Sequence, residues 1–152
     1  MEITSPAFPN GEFIPDKYTC AGTDVSPELR IGGVPEGVKS LVIVMDDPDA
    51  PGGTFTHWLL WNVSPTTTEI KEDGAMSLLV SGAVLGKTSF GEVGYRGPCP
   101  PRGMPHHYHF KLYALAAPLS LQIGSDKYEL QSALEKVHIL AQVELVGLYS
   151  RK

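Results

Sequence analysis

Short apolar runs broken by glycine and proline set the character of this chain. The most uniform is Ser40–Asp46, where Leu41, Val42, Ile43, Val44 and Met45 follow one another before Asp47-Pro48. A continuous run of this length with β-branched members predicts a strand covered on both faces. Phe55–Val63 reads as a second. Strict alternation puts Phe55, His57, Leu59, Trp61 and Val63 on one face, and Thr56, Trp58, Leu60 and Asn62 on the other. Both faces are largely apolar, so this strand is also expected to be central and covered. His106–Ala114 alternates differently: His106, Tyr108 and Phe110 share one face, while His107, His109 and Lys111 share the other. A closing strand fits near Ile139–Tyr149, and shorter ones fit Glu28–Ile31 and the start of the chain. Helical spacing is strong in one place, where Leu130, Ala133, Leu134 and Val137 follow a cap at Ser125 or Asp126. Thr66–Ser89 reads as a polar connection. Gly91–Pro105 reads as a stiff Gly/Pro-rich loop, of a length that usually carries function.

Many strands and one clear helix predict a mainly β domain, built from two sheets or one large sheet under helical cover. The 152 residues suit a single domain spanning 1–152, and 42% hydrophobic residues argue against disorder. The 16 glycines and 13 prolines punctuate the strands rather than forming a low-complexity tract. The formal charge of −5, with no Lys/Arg run, argues against nucleic acid and against anionic membrane surfaces. A small anion stays compatible, because a pocket can be locally positive inside an acidic protein. The longest apolar stretch, Leu41 to Met45, is too short to span a bilayer, so stable membrane insertion is not expected. Met1-Glu2 is not followed by a basic segment and an apolar run, which points to a cytoplasmic protein. In that compartment Cys20 and Cys99 are expected to be reduced. A single bridge between them stays open, since two cysteines define no framework.

Candidate chemistry gathers at three places. Asp46, Asp47 and Asp49 lie just past the first buried strand, stiffened by Pro48 and Pro51. Alone they read as a solvated acidic turn. His57 sits mid-strand, and a buried imidazole needs a partner, of which an aspartate is a strong one. His106 and Tyr108 can line a pocket with two donors, while the preceding Gly/Pro loop can offer backbone N–H groups to an anion. His107 and His109 have a spacing that can bind metal from one strand face. With no third ligand nearby they read as solvent-facing, which leaves a metal-dependent hydrolase as a remote alternative. Ser81–Thr88 imitates a phosphate loop but lacks its first glycine and the following helix, and no G-x-S-x-G elbow exists.

Asp47-Pro48-Asp49-Ala50-Pro51, then His57-Trp58-Leu59-Leu60-Trp61-Asn62, then Gly97-Pro98-Cys99-Pro100-Pro101-Arg102-Gly103 with His106-x-Tyr108 stand in this order. Together they resemble the bacterial and archaeal branch of the phosphatidylethanolamine-binding protein (PEBP) family, relatives of the Raf kinase inhibitor protein. The resemblance runs from about Ser26 to Tyr149. It implies a β-sandwich of antiparallel sheets with one or two short helices and an anion pocket at one end. Carried over by motif, Asp47, Pro51, His57, Pro100, His106 and Tyr108 would bind a phosphate or phosphorylethanolamine-like ligand, without catalytic residues, metal or cofactor. It further implies a modulator of a kinase or protease partner, or alternatively a serine protease inhibitor acting through a surface loop. A homodimer is left open. The chain ends soon after Tyr149, so a role needing the C-terminal helix of eukaryotic members is not expected.

Overall fold

The computed structural model describes every residue, Met1–Lys152. In chain order its strands are β1 (Glu2–Thr4), β2 (Leu29–Gly32), β3 (Ser40–Asp47), β4 (Phe55–Val63), β5 (Glu69–Ile70), β6 (Val84–Leu85), β7 (His106–Leu115) and β8 (Ile139–Tyr149). The helices are α1 (Ala75–Val80) and α2 (Lys127–Glu135). Two antiparallel sheets form, one ordered β1-β2-β5 and one ordered β6-β4-β3-β7-β8. Ile3, Leu29, Ile31 and Ile70 of the small sheet join Leu41, Ile43, Met45, Trp58, Leu60, Phe110 and Leu112 of the large one in a single core. The opposite face of the large sheet packs Val42, Leu59, Trp61 and Leu115 against Leu119 and Leu130. That second cover explains why β3 and β4 are apolar on both sides. The expected mainly β sandwich is the fold observed.

α2 starts where the sequence places it. The Asp126 carboxylate accepts from Tyr128 N and Glu129 N, and the Glu129 side chain accepts from Asp126 N at 3.2 Å, a complete capping box. The polar connection expected over residues 66–89 instead contains β5, α1 and β6. α1 has no side-chain cap and buries none of its residues, so it leaves no periodic apolar signal.

Strict alternation along β4 is the reading that the structure overturns. Met45 pairs with Trp58 and Asp46 with Thr56, so His57 is the extra residue of a β-bulge. Between Leu41↔Val63 and Ile43↔Leu60, β4 again spends one residue more than β3. Asn62, in that second irregularity, has a φ of 55°. The two bulges put His57 on the side of Trp58, Leu60 and Val63, and leave Leu59 and Trp61 facing α2. Because apolar residues cover both faces, the sequence pattern holds no mark of either bulge.

Asn62 also anchors the strap after β7. Its Nδ2 donates to the Leu119 carbonyl at 2.9 Å, and its Oδ1 accepts from Leu119 N at 2.8 Å. On the far side of the sheet, residues 10–14 run along β8. Gly11 N donates to Val146 O, Ile14 N to Leu148 O and Leu148 N to Glu12 O, while Asn10 Oδ1 accepts from Val146 N. Gly147 permits this approach, since a Cβ there would collide with the Ile14 and Phe8 side chains. Cys20 and Cys99 are joined in a disulfide with Cα atoms 5.4 Å apart, the bridge that the sequence left open against the default of two reduced thiols.

Asn62→Gly keeps the backbone geometry but removes both bonds to Leu119, and urea unfolding is expected to show a loss of about 2 kcal/mol. Asn62→Ala adds the cost of a positive φ and is expected to lose more. Equal, near-zero losses in both variants would show that the strap does not depend on this side chain.

Candidate functional site

Asp47 ends β3 with its carboxylate buried, 3% exposed. Its Oδ1 accepts from Asp49 N at 2.8 Å, and its Oδ2 accepts from His106 Nδ1 at 2.7 Å. Both oxygens are therefore engaged, one by the turn that Pro48 and Pro51 stiffen and one by the first residue of β7. Asp46, next in the chain, points to the opposite face, where it meets Lys111 Nζ at 3.2 Å. Burial works against that lysine's charge, yet Asp46 wins and holds its pKa above the ordinary value.

The bulge aims His57 into the same space. His57 Nδ1 lies 2.7 Å from the Arg96 carbonyl, which can only accept, so Nδ1 carries the proton. The His57 carbonyl in turn accepts from Arg96 N at 3.1 Å. The ring is 3% exposed and stands edge-on to Tyr108 (5.3 Å between centroids) and Phe90 (5.6 Å). Burial among aromatics pushes its pKa below the usual histidine value, against the pull of the Arg96 carbonyl and the Asp47 charge.

Tyr108 completes the constellation. It is fully buried, and its hydroxyl has no hydrogen-bond partner in the protein. Burial first, then the Asp47 charge and the hydroxyl's approach to the Asp47 carboxylate raise its pKa, so the phenol stays protonated, near Asp47 but outside good hydrogen-bond geometry.

These side chains surround one cavity of about 200 Å³. All six residues singled out in the sequence, Asp47, Pro51, His57, Pro100, His106 and Tyr108, line it. Pro101, which the resemblance pairs with Pro100 in the closing loop, lines it too, as do Ala50, Phe55, Phe90 and Cys99, which were not anticipated. Phe55 shares a strand end with His57, a signal that strand geometry could have supplied. Phe90 reaches the wall from the connection after β6, packing on Phe55 at 4.7 Å beneath the Arg96 guanidinium. Nothing in its local sequence announces that contact. His107 and His109 diverge from the cavity and meet different carboxylates, Asp49 at 2.7 Å and Glu144 at 3.1 Å. The His107 hydrogen bonds hold the Asp49 carboxyl below the usual range. No group of three or more His, Cys, Asp or Glu is placed to hold a metal ion. The largest hollow, about 610 Å³, lies elsewhere, between residues 117–121 and α2, and contains no comparable acid–imidazole pair. No helix is long and apolar enough to cross a membrane.

The family profile described as phosphatidylethanolamine-binding protein matches residues 4–150. A UPF0098 protein of Pyrococcus horikoshii is 51% identical over 152 residues, covering 97% of this chain and 76% of its own. One from Aquifex aeolicus is 48% identical over 153 residues, covering 99% and 89%. Among solved structures, a PEBP homolog from Chlamydia trachomatis superposes with a TM-score of 0.90 at 39% identity, covering 99% of this chain and 97% of its own. Escherichia coli YbcL, described as a new member of the mammalian PEBP family, superposes with a TM-score of 0.92 at 34% identity, covering 99% and 98%.

The state of His57 sets a pH dependence of folding. Its folded pKa lies below the unfolded value of about 6.5, so the unfolded chain takes up a proton that the native ring resists. This site's contribution is intact above that value, and stability is lost as pH falls through and below it. Urea midpoints measured from neutral to mildly acidic pH are expected to fall, with a shallower fall in His57→Gln. An identical slope in the variant would remove His57 from the account.

Proposed function

This chain belongs to the phosphatidylethanolamine-binding protein family, and on that footing we propose that its cavity binds a small tetrahedral oxyanion, a phosphate or phosphorylethanolamine-like group, without chemical turnover. The observation that carries the reading is the Tyr108 hydroxyl, a buried donor that makes no well-formed hydrogen bond within the protein, standing in a cavity beside two imidazoles. A phosphate oxygen supplies the missing acceptor. Asp47 holds His106 by Nδ1 and the Arg96 carbonyl holds His57 by Nδ1, so each ring keeps Nε2 for a ligand. A neutral ring offers only a lone pair there, whereas an imidazolium offers a donor and a charge. Anion binding is thus coupled to proton uptake, and the ligand offsets the burial that otherwise keeps His57 neutral. No serine, threonine or free thiol lines the cavity, and Asp47 has both oxygens engaged, which supports binding rather than a nucleophilic reaction. In this reading, occupancy is sensed by a kinase or protease partner at the mouth, where the lining residues Phe90 and Pro101 are exposed. The cytoplasm remains the proposed location, provided that its redox poise leaves the Cys20–Cys99 bridge intact.

Tyr108→Phe is expected to weaken phosphate binding about tenfold while leaving the fold as stable or more so, because it removes an unsatisfied polar group. A calorimetric titration and a thermal melt give the two readouts. Unchanged affinity would remove Tyr108 from the site. Sulfate, whose charge is constant across the range, is expected to bind about tenfold tighter at about pH 6 than at about pH 8.5, since the proton that the buried His57 ring takes up with the anion is scarcer at the higher pH. Equal affinity at the two pH values would refute the coupling.

A further inference from the structure

The pocket wall has an unusual means of support. From Cys99 through Pro105 no backbone atom takes part in the hydrogen bonds that tie loops to the rest of the chain. Three of these residues are prolines and lack a donor. No side chain of the stretch, Arg102 included, forms a hydrogen bond or ion pair elsewhere. Yet this is the segment that brings Pro100 and Pro101 to the cavity and then delivers His106 to Asp47. Just before it the chain is pinned firmly. Gly97 N donates to Asp24 Oδ1 at 2.8 Å, Cys20 N donates to Pro98 O at 3.1 Å, and Tyr95 Oη donates to Tyr18 O at 2.7 Å. Gly97 lies so close to the Tyr18 carbonyl that a Cβ would overlap it. Hydrogen-bonded anchoring therefore stops at Pro98, and beyond it the noncovalent hold is packing alone, as of the buried Pro100. The Cys20–Cys99 bond is the next tie, and the one after it is β7 itself.

Both cysteines are exposed, and Cys99 is itself a lining residue of the cavity. Exposed disulfides are the ones open to exchange. We propose that the Cys20–Cys99 bond is a thiol–disulfide exchange site whose redox state sets the position of the Pro100–Pro101 wall, and so the pocket's affinity. The partner is a dithiol. One thiolate attacks a sulfur of the bridge, breaking the S–S bond and forming a mixed disulfide. The second thiol of the partner then displaces the protein sulfur. Two electrons pass to the protein, whose sulfurs end as two thiols after taking up protons, and the dithiol leaves as a disulfide. The reverse exchange restores the bridge. The ties at residues 95–98 and the strands do not involve the sulfurs, so the change is confined to the wall.

This deepens the anion-binding reading and rests on it only for the ligand measurement. The full chain is compared oxidised, reduced with dithiothreitol, and as the Cys20→Ser/Cys99→Ser variant. Wall mobility is read by trypsin cleavage after the exposed Arg102, located by mass spectrometry. The reduced protein and the variant are expected to be cut there about tenfold faster with unchanged circular dichroism, and to bind sulfate about tenfold more weakly. Equal cleavage rates, or loss of the folded signal on reduction, would overturn the latch. Faster cleavage with unchanged sulfate affinity would overturn its control of the pocket. If no form binds sulfate, the anion reading falls, and the cleavage rates still decide whether the bridge holds the wall.

Discussion

A strand of strict period two cannot present His57 and Trp58 to the same side of a sheet. The cavity exists because β4 carries one residue more than β3 at this point. The bulge rotates the imidazole out of the face that packs on α2 and beside Tyr108, where the ring Nδ1 donates to the Arg96 carbonyl while the His57 carbonyl accepts from Arg96 N. That exchange recruits the 94–98 stretch, and the stretch leads to the proline wall. Bulges next to functional sites serve to re-aim side chains in this way. Here the same irregularity supplies both a wall residue and the docking point for a loop from far along the chain.

The electrostatics of the cavity follow from which groups are already engaged. Asp47 is a buried carboxylate with a backbone donor on one oxygen and an imidazole on the other, so it orients His106 without reaching a ligand itself. His57 is kept neutral by burial, and Tyr108 is left a protonated donor. The cavity thus holds a neutral His57 ring and a phenol O–H without a well-formed hydrogen bond. In the proposed reading, an oxyanion entering with a proton would answer both, and binding and protonation would then form one equilibrium.

The strands were readable because burial on both faces leaves continuous apolar runs, and the split of His106 and Tyr108 from His107 and His109 follows from period two on a strand without a bulge at that end. The convergence of Asp47, His57 and His106 was not a matter of periodicity. It came from three spaced motifs taken together, and those six positions do surround one cavity. Other features leave no local trace. Phe90 meets Phe55 across many residues of chain, α1 buries nothing, and the two cysteines that pair lie 79 positions apart. Each of these depends on contacts between distant segments, which no short window of sequence contains.

The segment before the first long strand has a second consequence. β8 is the last strand of its sheet, and over its C-terminal half the outward backbone groups are taken by residues 10–14. An uncovered strand of this length is a template for adding another chain's strand. The arm therefore acts as a guard for solubility as well as a part of the core. A chain whose leading residues were cleaved or displaced would present a sticky border, and copies of it would be prone to stack through that border into growing assemblies.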